Sequence, residues 1–155
     1  KNIKVVPTPL TNKKNIFQEM KEGQFVEGGA LNSFGEKFDF EGKEFKPTMK
    51  YNLLGTTMNY FIENSILDIP DYIKIDVDGI EHLILEGGDK FLNNEKVKSL
   101  SIEINENFKE QYDNILNLMN KYKFKILHKK HNEDIFKKES KFVNTYNYLF
   151  IKSKN

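Results

Sequence analysis

The sequence predicts an α/β domain, the back half of a doubly wound, mostly parallel sheet whose last strand runs antiparallel. Three observations predict it. From residue 72 onward, short runs rich in β-branched residues alternate with segments of helical period, which is the pattern of strands joined by crossover helices. The run over residues 72–77 ends in Asp76 and Asp78 and is followed at once by Gly79, an acidic turn between strand and helix. Open α/β sheets place functional groups at such carboxyl ends. The final two strand-like runs, 124–127 and 146–151, have no helix between them, so one of them must turn back antiparallel.

Taken in order, residues 3–6 (Ile-Lys-Val-Val) read as a short strand stopped by Pro7 and Pro9, since proline cannot donate to a ladder. Residues 11–35 read as loop, punctuated by Gly23, Gly28, Gly29 and Gly35. Residues 37–40 and 44–45 flank Glu41-Gly42-Lys43 as a small hairpin, and 51–54 form another short strand. A helix opens near Thr57, capped by Thr56 or Thr57, with Met58, Phe61, Ile62 and Ile66 on its apolar face. Pro70 closes that connection. After the strand over 72–77, Ile80, Leu83, Ile84 and Phe91 repeat at helical spacing, and Gly87-Gly88 suits a left-handed helix stop. Residues 99–104 are the next strand. The clearest helix covers 108–122, where Phe108, Tyr112, Ile115, Leu116, Met119 and Tyr122 line one face. A charged loop over 131–141 joins the last two strands.

At 155 residues the chain is one domain with a core of useful size. All 24 basic residues are Lys, so no site here can use the bidentate fork of Arg on a phosphate or carboxylate. The net charge of +1, with both signs interspersed, gives no electrostatic footprint for nucleic acid. No run reaches the apolar length of a membrane span, and no secretory signal opens the chain. The absence of Cys excludes disulfides and Cys-ligated zinc and fits a reducing compartment, with the cytoplasm the default. The three histidines, His82, His128 and His131, have no metal-ligand spacing and read as solvated or packing residues. Oligomeric state is not legible.

The stretch Ile-Lys-Ile-Asp-Val-Asp-Gly-Ile-Glu over residues 73–81, with its apolar turn and Gly87, resembles the strand-four signature of the FkbM family of methyltransferases. The resemblance extends over residues 3–152 and is strongest at 72–88 and 99–107. It implies a class I, Rossmann-like fold, S-adenosylmethionine as cofactor and methyl transfer to a hydroxyl of a small molecule or glycan. It also implies that residues 3–6 are the third strand. The Gly-rich loop after strand one and the ribose-binding acid after strand two have no counterpart, so the natural protein is expected to continue upstream.

Methyl transfer to oxygen needs donor and acceptor held in line, and a group to take the hydroxyl proton. Asp76, at the carboxyl end of the signature strand, is the candidate for that region; the plain alternative is an Asx turn. Asp78-Gly-Ile-Glu81 has the form of a capping box, so Glu81 is either a second catalytic carboxylate or a helix cap. Lys74 shares a strand face with Asp76 and, on a buried central strand, calls for a partner in Glu103 or Asp76. The resemblance places Thr8, Thr11, Asn12 and Asp78 at the cofactor. Leu10-Thr11-Asn12 and Thr57-Met58-Asn59 match the family's patterns with Asn where the family has Asp.

Two other functions compete. Asp76-Val-Asp-Gly79 after an apolar strand is similar to the first motif of haloacid-dehalogenase phosphatases, with Asp76 as nucleophile and Asp78 as acid/base. Position 80 is Ile where those enzymes have Thr, and no late acidic pair follows a strand to bind magnesium. An EF-hand reading fails because glycine comes two positions too early and a strand precedes the loop. The third reading is a non-catalytic half-domain that binds a partner strand.

Overall fold

A computed structural model describes residues 3–23, 32–131 and 142–153, which form two sheets and four helices. Three strands, β1 (Ile16–Glu22), β2 (Ser33–Phe34) and β3 (Met49–Gly55), make an antiparallel sheet of order β2-β1-β3. Helix α1 (Met58–Glu63) leads to β4 (Tyr72–Ile75). Two short helices, α2 (Glu81–Glu86) and α3 (Asp89–Asn93), lead to β5 (Ser99–Asn105). Helix α4 (Lys109–Lys121), β6 (Phe124–Lys130) and β7 (Thr145–Lys152) complete the chain.

The second sheet has the order β4-β5-β7-β6, with β4 and β5 parallel and β7 antiparallel to both its neighbours. The antiparallel last strand expected for the runs at 124–127 and 146–151 is β7, which lies between β5 and β6. The expected mostly parallel sheet is not formed, because β4–β5 is the one parallel pairing among the named strands. The segment ahead of β4 pairs within itself instead of extending the sheet.

Burial divides β5 by face, as strand period requires. Leu100, Ile102 and Ile104 are fully buried on one side, facing Phe150, Tyr148 and Tyr146 across the β5–β7 register. Ser101, Glu103 and Asn105 take the opposite side. Leu85, Leu92, Val97, Ile115 and Met119 join the same apolar cluster, each contributing about 1.5–3 kcal/mol where a large aliphatic side chain is fully buried. In α4, Phe108 and Tyr122 are the flanking caps, one residue outside the regular helix at each end.

Four expectations change. Residues 3–6 are not a strand: Ile3 and Val5 are exposed, and the local chain makes a turn bond from Thr8 N–H to the Val6 carbonyl at 2.8 Å. Their β-branched side chains have no ladder to join. The loop assigned to 11–35 contains β1 and β2. Its Gly28 and Gly29, and positions 132–141 of the charged loop, lie outside the described residues. Gly87 ends α2 at φ −77°, an ordinary conformation; what requires glycine is space, since a Cβ would stand 2.4 Å from the Thr11 carbonyl oxygen. The fourth change concerns the signature strand, β4, which is an edge strand of its sheet rather than a doubly covered central one. Lys74 is therefore exposed and pairs with Asp76, without any buried-charge cost. No helix among the described residues is long and apolar enough to cross a membrane.

Candidate active site

A cavity of about 790 Å³ opens where β4 and β5 end. Asp76, Asp78 and Glu103 form its acidic side, with Val77 between the two aspartates. Thr8, Pro9 and Leu10 line one wall, and Met20, Asn32 and Phe34 from the small sheet line another. Ile80, the N-cap of α2, and Ile84, one turn into that helix, supply apolar floor. The volume lies within the roughly 300–1,000 Å³ of small-molecule sites, and the make-up is the usual one of apolar walls with a few convergent polar groups.

Local sequence explains how the acids arrive there. In the parallel register Lys74 stands beside Ser101 and Ile75 beside Ile102, so one step further Asp76 stands beside Glu103. Both project from the polar face, and their carboxyls are within hydrogen-bonding reach. Gly79 follows at φ +102°, where a side chain would be strained and a Cβ would lie 2.9 Å from the Phe40 Cα. The Asp78 carboxylate turns toward the small sheet and accepts from the Asn32 backbone N–H at 3.2 Å. Burial pushes the Glu103 carboxyl above its ordinary value, the charges of Asp76 and Asp78 push it further, and Lys74 pulls it back.

Glu81 is not a capping-box residue. The N-cap of α2 is Ile80, with no side-chain cap bond, so Asp78 and Glu81 do not form a capping box. The glycine turn at 79 carries Asp78 toward Asn32, away from the helix end. Glu81 is 2 % exposed and does not line the large cavity; its carboxyl accepts from Gln111 Nε2 at 2.5 Å. Burial pushes it up to about 8, against the lowering effect of the Glu81, Gly79 and Val77 backbone N–H groups. It borders a second cavity of about 20 Å³ shared with Glu103, Asn105 and Thr145, room for one water. The buried Thr145 Oγ1 has no hydrogen-bond partner among the described residues.

Among the residues assigned to a cofactor, Thr8 and Asp78 line the large cavity. Thr11 and Asn12 do not. Thr11 is buried, its carbonyl against Gly87, and Asn12 Nδ2 donates to Glu86 on α2 at 2.7 Å. Asn59 receives the Lys90 backbone N–H at 3.1 Å at the start of α3, also away from the cavity. His82 is a packing residue, buried beside Phe38 and Phe108, and desolvation lowers its pKa. Met20, Asn32, Phe34 and Phe142 are cavity residues that sequence reasoning missed. Glu103 was visible, but as a partner for Lys74. Its place two residues from the end of the strand next to the signature was the available signal.

An α/β domain with an acidic, ligand-sized cavity at the carboxyl ends of a parallel strand pair has the form of a ligand-binding domain. Residues 50–126, from β3 into β6, match the Methyltransferase FkbM domain. The chain belongs to the FkbM family and is a methyltransferase. No curated protein and no solved structure matches it.

Proposed function

We propose that the protein is an S-adenosylmethionine-dependent O-methyltransferase acting on a hydroxyl of a small molecule or glycan. Its β4-β5-β7-β6 sheet is then the closing half of a class I, Rossmann-like methyltransferase sheet. The observation that carries the proposal is the cavity at the ends of β4 and β5, inside the matched family region, with three carboxylates converging on it.

The residues present fit the methyl-donating end of the cofactor. S-adenosylmethionine carries a sulfonium and an α-ammonium beside its α-carboxylate, and Asp76 and Asp78 complement the two cationic centres in a partly desolvated site. Leu10, Phe34, Ile80 and Ile84 offer apolar surface to a flat heterocycle, and Thr8 adds a hydroxyl. When bound, the cofactor supplies an electrophilic methyl carbon. The protein's share is to hold the acceptor oxygen in line with it, keep competing water out and receive a proton. Asp76 and Asp78 are the binding and orienting carboxylates in this reading. With three carboxylates and no lysine among its described lining residues, the cavity disfavours a phosphate-bearing acceptor and favours neutral hydroxyl compounds.

Calorimetric titration with S-adenosylhomocysteine, together with transfer of an isotopic methyl group to a panel of sugars and small alcohols, tests the proposal. Saturable binding and a mass-identified methyl ether are expected. Label found on nitrogen or carbon would reject the O-methyl assignment, and failure of both binding and transfer would reject the cofactor as well.

A further inference from the structure

We propose that Glu103 is the group that takes the proton from the acceptor hydroxyl, and that Asp76, paired to Lys74, stands beside it as its carboxylate neighbour. The inference rests on the methyl-transfer reading and names the residue for its proton step. Sequence alone pointed to Asp76 for this role.

The geometry separates the two carboxylates. Asp76 lies beyond the end of β4 with a side chain 41 % exposed and is paired to Lys74. Salt bridging and solvation both weaken a carboxylate as a base, because each stabilises the charged form that must accept the proton. Glu103 stands beside Asp76 in register, half-buried, with its carboxyl lining the cavity. Two adjacent carboxyls resist double ionisation, and burial together with the charges of Asp76 and Asp78 disfavours the ionised form of Glu103. Other groups facing Glu103 sharpen the asymmetry. Asp78, on the turn after β4, adds negative charge, and Glu81 on α2 is a further acid that interacts with it. Across the register on β7 stands Asn147, which is uncharged. A carboxyl that ionises nearer neutrality is the more effective base once ionised.

The step balances as follows. The acceptor O–H bond breaks with its proton passing to a Glu103 oxygen, while the acceptor oxygen's electron pair bonds the methyl carbon. The electrons of the broken carbon–sulfur bond leave with sulfur. Hydroxyl and sulfonium become ether and thioether, and the proton on Glu103 is later released to water.

The test uses the full chain with Glu103→Gln and Asp76→Asn, following kcat against pH on an acceptor that the wild-type protein methylates. S-adenosylhomocysteine affinity and melting temperature serve as controls. The wild-type rate should rise along a limb above the ordinary carboxylate range. Glu103→Gln should lower kcat by about 10²–10⁴-fold and abolish the limb while the analogue still binds. Asp76→Asn should keep a limb, displaced to lower pH. Near wild-type kcat in Glu103→Gln, or loss of the limb in Asp76→Asn alone, overturns the assignment. A carboxyl ¹³C NMR titration reads the pair without turnover. The Glu103 signal should titrate high in the wild type and lower in Asp76→Asn, and an ordinary Glu103 titration overturns the proposal. If the wild type neither binds the analogue nor transfers methyl, the methyl-transfer reading falls, while the NMR result still reports separately on the pair.

Discussion

Gln111 Nε2 donates to the Glu81 carboxyl across 2.5 Å in an interior where both residues are about 1–2 % exposed. The contact joins the first turn of α2 to the first turn of α4, so the helix following the signature strand is tied to the helix following β5. Glu81 therefore belongs to the frame behind the site.

The burial of Glu81 makes stability depend on pH. Glu81 is raised to about 8 in the fold, whereas an unfolded glutamate titrates near 4.5. Between these values the folded protein binds more protons than the unfolded one, so stability falls as pH rises through the window. The group's contribution is complete below about pH 4.5 and gone above about pH 8, changing by about 1.4 kcal/mol per pH unit at most. Melting curves of wild type and Glu81→Gln from pH 5 to 9 should diverge, the variant gaining relative to wild type as pH rises. Parallel curves would show that Glu81 is ionised in the fold.

Gly87→Ala should destabilise by about 1–3 kcal/mol, although alanine is the better helix former. The added carbon meets the Thr11 backbone carbonyl at 2.4 Å and the Thr57 side chain at 3.1 Å, and the backbone atom cannot swing aside. Gly88→Ala is the control. Its added carbon meets Met58 Cε, the end of a flexible side chain, so the cost should be smaller. Urea midpoints for both variants check the order, and equal midpoints would reject the steric account.

Thr57 caps α1 by accepting from the Tyr60 backbone N–H at 3.2 Å. Thr57→Ala should cost about 1 kcal/mol, and Thr57→Ser, which keeps the oxygen, should restore most of it. Thermal unfolding of the pair is decisive: a serine variant as unstable as alanine would place the effect in the lost methyl packing.

The parts of the fold legible in the sequence are those set by local period. The alternation in β5, the helical stripe of α4 and the missing helix between β6 and β7 each leave a local mark, and the antiparallel turn of the last strand followed from the third; the place of β7 between β5 and β6 is not set by local period. Strand β1 carries no such mark. Ile16, Gln18, Met20 and Glu22 form one mixed face, and what makes the segment a strand is pairing with β3, from Ile16 with Gly55 to Glu22 with Met49. Residues 3–6 show the converse, a β-branched run without a strand to meet. In the site, Asp76 and Asp78 were readable because the motif is contiguous. The role of Glu103 depends on which residue the β4–β5 register sets beside Asp76, and the cavity wall from Met20 and Phe34 depends on a sheet that the sequence did not announce. Gly87 was recognised as special for the wrong reason, since conformation and close approach leave the same residue in the sequence.

Lys74→Ala separates the electrostatic role of this lysine from a structural one. The Lys74 and Asp76 side chains are 61 % and 41 % exposed, and pairs of this kind contribute about 0–1 kcal/mol, so the melting temperature should barely change. The effect should fall on Glu103. Lys74 is the cation that pulls Glu103 down against burial and against Asp76 and Asp78. Without it, ionisation of Glu103 moves to higher pH, and the ascending limb of the rate profile moves with it. The shift is opposite in sign to that expected of Asp76→Asn, since one variant removes a positive neighbour and the other a negative one. Rate profiles of the two variants on the same acceptor, read beside their melting curves, check both signs. Shifts of the same sign would mean that the limb does not report Glu103, and a large fall in melting temperature for Lys74→Ala would make the pair a structural tie at the sheet edge.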